Sequence, residues 1–295
     1  QTSVPDIYAV GDAVQVKHYV TGQAALISLA GPANKQGRIV ADHICGKNSS
    51  YPGSQGSSVI KVFDMTAAVT GVNETNAKKA GLNVDKVVLS PMSHAGYYPG
   101  GKVMTMKVVF EKETYRILGA QIVGYEGVDK RIDVLATAIH ADMKAQDLAE
   151  LDLAYAPPYS SAKDPVNLAG FMIENISDGT LKQFHIEDVK NLPHDGSVTL
   201  LDTRTPGEYQ RGHVDGFVNI PVDNLRERLE EIPKEKPVYV MCQSGLRSYI
   251  ATRILEGNGY TSYNFSGGFR FYDAVMNDRC LIETATACGM DLKEK

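Results

Sequence analysis

The chain has 295 residues, of which 43% are apolar and 22% charged, and its formal net charge is −5. This length suits about two domains, the mild negative charge argues against a nucleic-acid partner, and no apolar run is long enough to cross a membrane. The four cysteines form no Cys-x-x-Cys pair, so we expect no metal site, no thioredoxin motif and a reducing, cytoplasmic location.

The N-terminal segment predicts one short strand and two helices. Ile7 to Val10 is typical of a buried strand, and it ends at Gly11-Asp12. An apolar helical run is predicted from Gly22 to Leu29, and a second helix from Arg38 to Cys45. A carboxylate at a strand end either accepts hydrogen bonds from a ligand or caps the following helix.

A turn-rich stretch from Ser49 to Ser58 then leads into a segment of mixed strands and helices. Its alternating apolar residues predict strands at about 59–64, 67–72, 85–90, 103–110 and 115–123. Helices are predicted from Glu74 to Gly81 and from Gly127 to Met143. This order indicates an α+β dimerisation domain with helices on one side of the sheet.

After a linker helix from Pro165 to Ile176, strands and helices alternate. The strands are predicted at about 183–185, 199–202, 218–220, 238–241 and 262–264, and the helices at about 206–211, 223–231, 246–257 and 268–276. Such alternation indicates an α/β domain with a mostly parallel sheet, in which ligand chemistry is expected at the carboxyl ends of the strands.

Cys242 stands at one of these strand ends, directly before a short polar loop and a helix. The loop residues are Gln243, Ser244, Gly245, Leu246 and Arg247. Their N–H groups are expected to form a nest that stabilises an anionic sulfur, with Arg247 adding positive charge. Two alternatives remain open at this point: an ordinary buried cysteine, or a phosphatase-like loop that handles phosphate esters or arsenate.

Three motifs in a fixed order narrow these alternatives. They are Asp-x-Arg-x-Pro-x-Glu-Tyr from Asp202, Gly-His-x-x-Gly-x-x-Asn-Ile-Pro from Gly212, and Cys-x-x-Gly-x-Arg from Cys242. Together they resemble a rhodanese domain over about Thr180 to Ala274. The resemblance implies that Cys242 accepts a sulfane sulfur as a persulfide, held by residues 243–247. We expect Arg204 to pair with a carboxylate rather than with substrate.

A second resemblance covers the N-terminal part. The pattern Thr-x-x-x-x-Ile-Tyr-Ala-x-Gly-Asp from Thr2 is similar to the second flavin motif of disulfide reductases that have two dinucleotide folds. The resemblance implies that Gly11, Asp12 and Ala13 contact FAD, with Asp12 on the ribityl chain. It also implies that the following α+β domain is the interface domain of a homodimer.

Two polar stretches, 94–101 and 155–165, look like the coenzyme A-disulfide reductase or NADH-dependent persulfide reductase branch that is fused to a rhodanese domain. This resemblance implies that Tyr97 and Tyr155 are catalytic and reach the partner's active site, where Tyr155 also contacts the cofactor. It assigns Asn34 and Lys163 to coenzyme A. Tyr98 and Tyr159 compete for the tyrosine roles, and composition alone favours plain amphipathic packing for all four.

The sequence contains no Gly-x-Gly-x-x-Gly motif, so we expect it to be the C-terminal part of a longer FAD- and NAD(P)H-dependent protein and to retain no cofactor itself. The alternative is a stand-alone dimeric sulfurtransferase or sulfur sensor. Cys280 and Cys288 are expected to be incidental thiols. The sequence predicts that the chain divides into five segments: the C-terminal piece of an FAD domain 1–55, a dimerisation domain 56–163, a linker helix 164–179, a rhodanese domain 180–280 and a tail 281–295.

Overall fold

The structure is a computed structural model that describes residues 1–277, so the predictions for Cys280, Cys288 and the tail lie outside the described residues. The chain divides into two compact units: residues 1–87 with 92–173, and residues 88–91 with those from 174 onward. Among the described residues, no helix is both long and apolar enough to span a bilayer.

Twelve strands and nine α-helices make up the described part of the chain. The strands are β1 Val16–Lys17, β2 Ala24–Ala25, β3 Ser58–Val62, β4 Met65–Gly71, β5 Val84–Leu89, β6 Thr105–Glu111, β7 Ile117–Gly124, β8 Gln183–Phe184, β9 Thr199–Asp202, β10 Val218–Asn219, β11 Val238–Met241 and β12 Ser262–Phe265. The helices are α1 Ala30–Ile44, α2 Glu74–Lys79, α3 Val128–His140, α4 Ala145–Glu150, α5 Pro165–Ser177, α6 Ile186–Val189, α7 Pro206–Gln210, α8 Leu246–Gly257 and α9 Gly268–Asn277.

The N-terminal segment differs from the sequence prediction. Residues 7–10 form no strand, and Ile7 is 53% exposed, because no neighbouring strand pairs with this apolar run. The helix predicted from Gly22 to Leu29 is also wrong. Gly22 adopts a positive φ of 68°, and the chain turns there so that β2 pairs antiparallel with β1.

The helix that follows is a single element, α1, rather than one that begins at Arg38. Pro32 lies in its first turn, where a backbone N–H would have no helical partner in any case, so the proline does not interrupt it. Gly37 also lies within α1, where no neighbouring atom approaches the position of a Cβ.

The antiparallel sheet has the strand order β3-β4-β7-β6-β5, and α3 packs on β4 and β7. Its five strands lie within about two residues of the predicted ones. Met106, Ile122 and Leu135 are fully buried and fill this core. The observed sheet with its packed helix confirms the predicted α+β fold class.

The parallel sheet has the strand order β10-β9-β11-β12-β8. Alternate residues of β9 enter opposite cores: Leu200 packs with Met241 and Phe265, and Leu201 packs with Val240 and Leu255. Both faces of the sheet are therefore covered, as the period of two along a strand requires. The predicted α/β domain is confirmed, although the helix predicted at 223–231 consists of two short 3₁₀ helices.

Candidate active site

Cys242 follows the last residue of β11, the middle strand of the parallel sheet, and the loop after it ends where α8 begins at Leu246. Gly245 closes this loop with a φ of +102°, a conformation that glycine adopts without steric cost. The loop thus lies at the carboxyl end of a central parallel strand, where the sequence predicted it.

Two hydrogen-bond donors approach the Cys242 sulfur. The backbone N–H of Gly245 lies 3.2 Å from Sγ, and the Ser248 hydroxyl lies 3.3 Å from it. Cys242 is only 1% exposed, so water competes little with these donors. Both donors present positive partial charge to the sulfur, which stabilises negative charge there. Gly245 supplies one of the backbone N–H groups expected from residues 243–247, so the full nest stays a prediction. Sequence reasoning missed Ser248.

The loop is also held from the side of α9. The carbonyl oxygens of Cys242 and Gln243 accept hydrogen bonds from the N–H groups of Phe269 and Arg270, at 2.7 and 3.0 Å. Gly268 has a φ of +68°, and a Cβ at this position would lie 2.7 Å from the backbone nitrogen of Ser244. The Gly267-Gly268 pair at the start of α9 therefore lets the two backbones pack closely, which holds the peptide groups of Cys242 and Gln243 in place.

Arg247 does not present a free charge, because both of its terminal nitrogens bind Glu208. Nη1 and Nη2 each lie 2.7 Å from a carboxylate oxygen. This bidentate pair holds the pKa of Glu208 down at about 2. In the reverse direction, the Glu208 carboxylate raises the pKa of Arg247, with smaller electrostatic contributions from Cys242 and Asp202.

Arg204 forms a second, fully buried layer beneath the loop. It bonds Asp202 at 2.7 Å and the carbonyl of Gly212 at 2.7 Å, and its guanidinium lies 3.9 Å from the ring centroid of Phe269. Its Nη1 also donates to Oε1 of Gln243 at 3.3 Å. The expectation that Arg204 pairs with a carboxylate is confirmed, and this pair supports the loop from below.

In the other unit, the structure brings Tyr97 and Tyr155 together. Their hydroxyl oxygens are 2.8 Å apart, although the residues are 58 positions apart in sequence. The hydrogen bond with Tyr97 is the main reason that the pKa of Tyr155 is raised, because a hydroxyl proton that Tyr155 donates to the Tyr97 oxygen is harder to remove. Tyr98 instead meets the edge of the His94 ring, and Tyr159 is 72% exposed.

The remaining predicted contacts are scattered over the surface of the first unit. Lys163 is exposed, with Nζ 5.4 Å from the Phe171 ring centroid. Asn34 is exposed and donates its side-chain amide to the Ala30 carbonyl at 2.8 Å, within α1. Neither residue contacts the tyrosine pair in the described contacts, so their assignment to coenzyme A stays a prediction.

The residues assigned to FAD form a 3₁₀ turn, Gly11–Ala13. The Gly11 N–H is taken by Oε1 of Gln36 at 2.7 Å, whereas Asp12 is exposed. The N-terminus of α1 is preceded by Leu29, which makes no side-chain cap. An exposed carboxylate suits the hydroxyl groups of a ligand, and a helix start without a side-chain cap suits its phosphates, so the assignment of these residues to FAD stays a prediction. Within residues 1–277, no cluster of potential metal ligands is found.

Comparison with known proteins assigns a class to each unit. Residues 57–165 match the pyridine nucleotide-disulphide oxidoreductase dimerisation domain, and residues 185–274 match the rhodanese-like domain. The chain therefore combines a dimerisation domain of the disulfide oxidoreductases with a rhodanese-like domain. The resemblances to a rhodanese domain and to the interface domain of the disulfide reductases are confirmed, while the flavin contacts and the finer segment boundaries stay predictions.

Among solved structures, the reduced CoADR-RHD of Bacillus anthracis is 47% identical, with a TM-score of 0.91, over 95% of this chain and 50% of that one. An NAD-dependent persulfide reductase from A. fulgidus is 42% identical, with a TM-score of 0.85, over 92% of this chain and 49% of its own. Each of these two proteins is thus about twice as long as the region that this chain matches.

Curated relatives match more than half of the chain. The NAD(P)H sulfur oxidoreductase (CoA-dependent) of Pyrococcus abyssi is 40% identical over 166 residues, which is 56% of this chain and 37% of the relative. The coenzyme A disulfide reductase of Staphylococcus epidermidis is 38% identical over 172 residues, 58% of this chain and 39% of the relative. The chain therefore spans well under half the length of these proteins.

Proposed function

We propose that this chain is the C-terminal portion of an FAD- and NAD(P)H-dependent coenzyme A-disulfide or persulfide reductase, in which Cys242 accepts sulfane sulfur. The observation that carries the proposal is the pair of donors, Gly245 N–H and Ser248 hydroxyl, on the sulfur of Cys242. This site lies in the same chain as a disulfide-oxidoreductase dimerisation domain. The names of the relatives support coenzyme A and persulfide as substrates.

The first step is attack of the Cys242 thiolate on the outer sulfur of a persulfide, RS–SH. A new S–S bond forms at Cys242, the S–S bond of the donor breaks, and RS⁻ leaves with the electron pair, so no external oxidant is needed. The Gly245 N–H and the Ser248 hydroxyl stabilise anionic sulfur before and after this transfer. Arg204 and α9 keep the loop in the geometry that aims both donors inward.

In the second step, a thiolate such as that of coenzyme A attacks the terminal sulfur and restores Cys242. When FAD is bound, it supplies the redox chemistry that carries two electrons from NAD(P)H to the sulfur compound. The exposed Asp12 and the first turn of α1 would hold part of that flavin. We propose that Tyr97 and Tyr155 donate hydrogen bonds at the partner's active site in a homodimer, and that Lys163 and Asn34 contact coenzyme A.

The direct test replaces Cys242 with alanine. We expect Cys242→Ala to abolish sulfur transfer from thiosulfate or glutathione persulfide to a thiol, because the acceptor atom is gone. Cys45→Ala is the matched control, since Cys45 is the other described free cysteine and is exposed. Intact mass after incubation with the donor should show one added sulfur atom in the wild type and in Cys45→Ala. Undiminished transfer by Cys242→Ala would overturn the proposal.

A further inference from the structure

In the first unit, helix α3 carries a buried charged residue, Arg131, that is 1% exposed. Two loops meet over it: the 93–101 loop, which carries Tyr97, and the 155–164 loop, which carries Tyr155. A buried guanidinium is retained only where its N–H groups and its charge are satisfied. The acceptors that satisfy Arg131 therefore show what this residue holds in place.

Those acceptors come from both loops. Nη2 of Arg131 lies 3.0 Å from the Ser93 carbonyl of the first loop. The same nitrogen lies 3.3 Å from the Tyr159 carbonyl and 3.1 Å from the Ser160 hydroxyl oxygen of the second. The two N–H groups of Nη2 are thus shared among acceptors at the base of both tyrosine-bearing loops. A direct bond from Ala95 N–H to the Ser160 carbonyl, at 2.9 Å, also joins the loops.

Asp164 fixes the guanidinium itself. Its Oδ2 lies 3.0 Å from Nη2 and 3.2 Å from Nε of Arg131, and it also accepts the Ser160 hydroxyl at 2.7 Å. Its Oδ1 accepts the Val166 N–H at 3.0 Å in the first turn of α5. The ion pair therefore links α3, α5 and the second loop, and it has little freedom to move.

The backbone has been shaped to admit this arginine. Gly127 precedes α3 with a φ of +69°, and a Cβ there would lie 2.0 Å from Nη1 of Arg131. That nitrogen donates to the Gly127 carbonyl at 3.1 Å. Arg131 and Gly127 also line a cavity of about 460 Å³ together with Tyr155 and Tyr159, so the buried arginine and one tyrosine of the pair border the same cavity.

We propose that Arg131 is a positioning residue: by bonding both loops, it sets the 2.8 Å separation of the Tyr97 and Tyr155 hydroxyls. The functional meaning of this rests on the role proposed above for the tyrosine pair. Lysine cannot replace this arginine, because an ammonium group lacks the planar fork that reaches Ser93, Ser160 and Asp164 at once.

The test measures coupling between the two phenols in the full 295-residue chain. Ring ¹³C-labelled tyrosine NMR follows the titration of Tyr155, whose signal is assigned with Tyr155→Phe. In the wild-type background, Tyr97→Phe should lower the pKa of Tyr155, because the hydrogen bond that raises it is removed. In the Arg131→Lys background, the same Tyr97→Phe change should have no effect, since the hydroxyls are no longer in contact.

Three further variants keep the test decisive. Arg116→Lys, at an arginine that bonds Asp142 at 3.2 Å, should leave the coupling intact, and so should Val108→Ala, which destabilises the same unit by opening its core. Ser160→Ala is a milder change in the proposed contact and should weaken the coupling. If Arg131→Lys does not fold, the Ser160→Ala result decides.

Full coupling in folded Arg131→Lys, or in Ser160→Ala where the lysine variant does not fold, would overturn the inference. The titration needs neither flavin nor substrate. Failure of sulfur transfer at Cys242 would therefore refute the proposed function and leave the positioning role of Arg131 standing. Full coupling of the phenols in the variants would refute the positioning role and leave the proposed function at Cys242 standing.

Discussion

At the scale of single residues, Glu208 decides how much charge the sulfur site presents. The sequence motif predicts that Arg247 adds positive charge to the loop. In the structure, its guanidinium instead pairs with Glu208 through two bonds of 2.7 Å. The site therefore stabilises an anionic sulfur mainly through the Gly245 amide and the Ser248 hydroxyl. Glu208 itself is tied to the first turn of α7, where Thr205 caps the helix.

This pair predicts a stability difference that depends on pH. The pKa of Glu208 is depressed from 4.5 to about 2 in the folded chain. Its stabilising contribution is therefore fully present above pH 4.5 and is lost as the pH falls toward 2. We expect Glu208→Gln to lower the free energy of unfolding by about 1 kcal/mol near pH 7, since the pair is partly solvated.

Urea unfolding of both proteins between pH 7 and pH 3 measures this difference. The gap between wild type and Glu208→Gln should narrow as the pH falls below 4.5. Glu231→Gln is the control, because Glu231 pairs with Arg228 at the surface, where both side chains are more than one third exposed. A difference in unfolding free energy that stays constant with pH would contradict the role given to the Glu208–Arg247 pair. So would a Glu231→Gln variant whose difference from wild type changes with pH in the same way and by the same amount.

Single residues also show where sequence reasoning ends. The position of Cys242 at a strand end was predictable, because an apolar run, a glycine in the loop and an amphipathic segment mark strand, loop and helix in turn. Ser248 was not predicted as a sulfur ligand. A lone hydroxyl in the first turn of α8 fits a bond to a backbone carbonyl equally well. The Gly245 carbonyl does lie 3.1 Å from the Ser248 hydroxyl and shares its single proton with the sulfur.

At the scale of elements, the turn from β11 into α8 depends on the conformation of Gly245. Its φ of +102° is unfavourable for any residue with a Cβ, although the nearest atom to such a Cβ, the Phe265 carbonyl oxygen, would be 3.9 Å away. The cost of a side chain there is therefore conformational rather than steric. The residue that would carry this conformational strain, Gly245, is the one whose N–H donates to the Cys242 sulfur.

We therefore expect Gly245→Ala to destabilise the chain by about 1–2 kcal/mol and to slow sulfur transfer, because relief of the strain moves the amide. Gly257→Ala is the matched control at the other end of α8, where φ is not positive and no atom lies near the added methyl group. That change should be neutral or stabilising by roughly 0.5 kcal/mol. Thermal unfolding and the sulfur-transfer assay together separate the two glycines; equal effects at both positions would refute the argument.

Elements were predicted well where an apolar run has a neighbouring element to pack against, and poorly where it has none. The strands β9 and β11 match their predicted bounds because each pairs with a strand on both sides, and the helix α8 packs on β11 and β12. The N-terminal segment failed for two reasons. Ile7 to Val10 is apolar without a strand beside it, and the positive φ of Gly22 turns the chain where the apolar residues predict a helix.

At the scale of the whole molecule, the chain carries two chemical sites in separate units. One is the Cys242 loop, in which the cysteine sulfur receives donors from the loop's own backbone and from α8. The other is a tyrosine pair held on loops above Arg131. The identity of the two units was predictable, because ordered motifs are specific to a family. The contact between Tyr97 and Tyr155 was not derivable from spacing, since loop geometry and not periodicity sets it.

Flavin binding needs groups that this chain supplies only in part. The residues proposed to contact FAD supply a carboxylate at Asp12 and an uncapped helix, but the sequence contains no Gly-x-Gly-x-x-Gly cradle for the pyrophosphate. Most of the charge-assisted bonds to FAD are therefore absent from this chain. We expect the purified 295-residue protein to be colourless, and to remain so after incubation with FAD and gel filtration.

Flavin absorbance of the filtered protein measures the outcome, with Asp12→Ala as the companion variant. A yellow wild-type protein with one flavin per chain, together with a colourless Asp12→Ala variant, would show that these residues hold the cofactor without the cradle. It would also mean that the exposed Asp12 carboxylate and the first turn of α1 contribute more binding energy than an incomplete dinucleotide site is expected to supply.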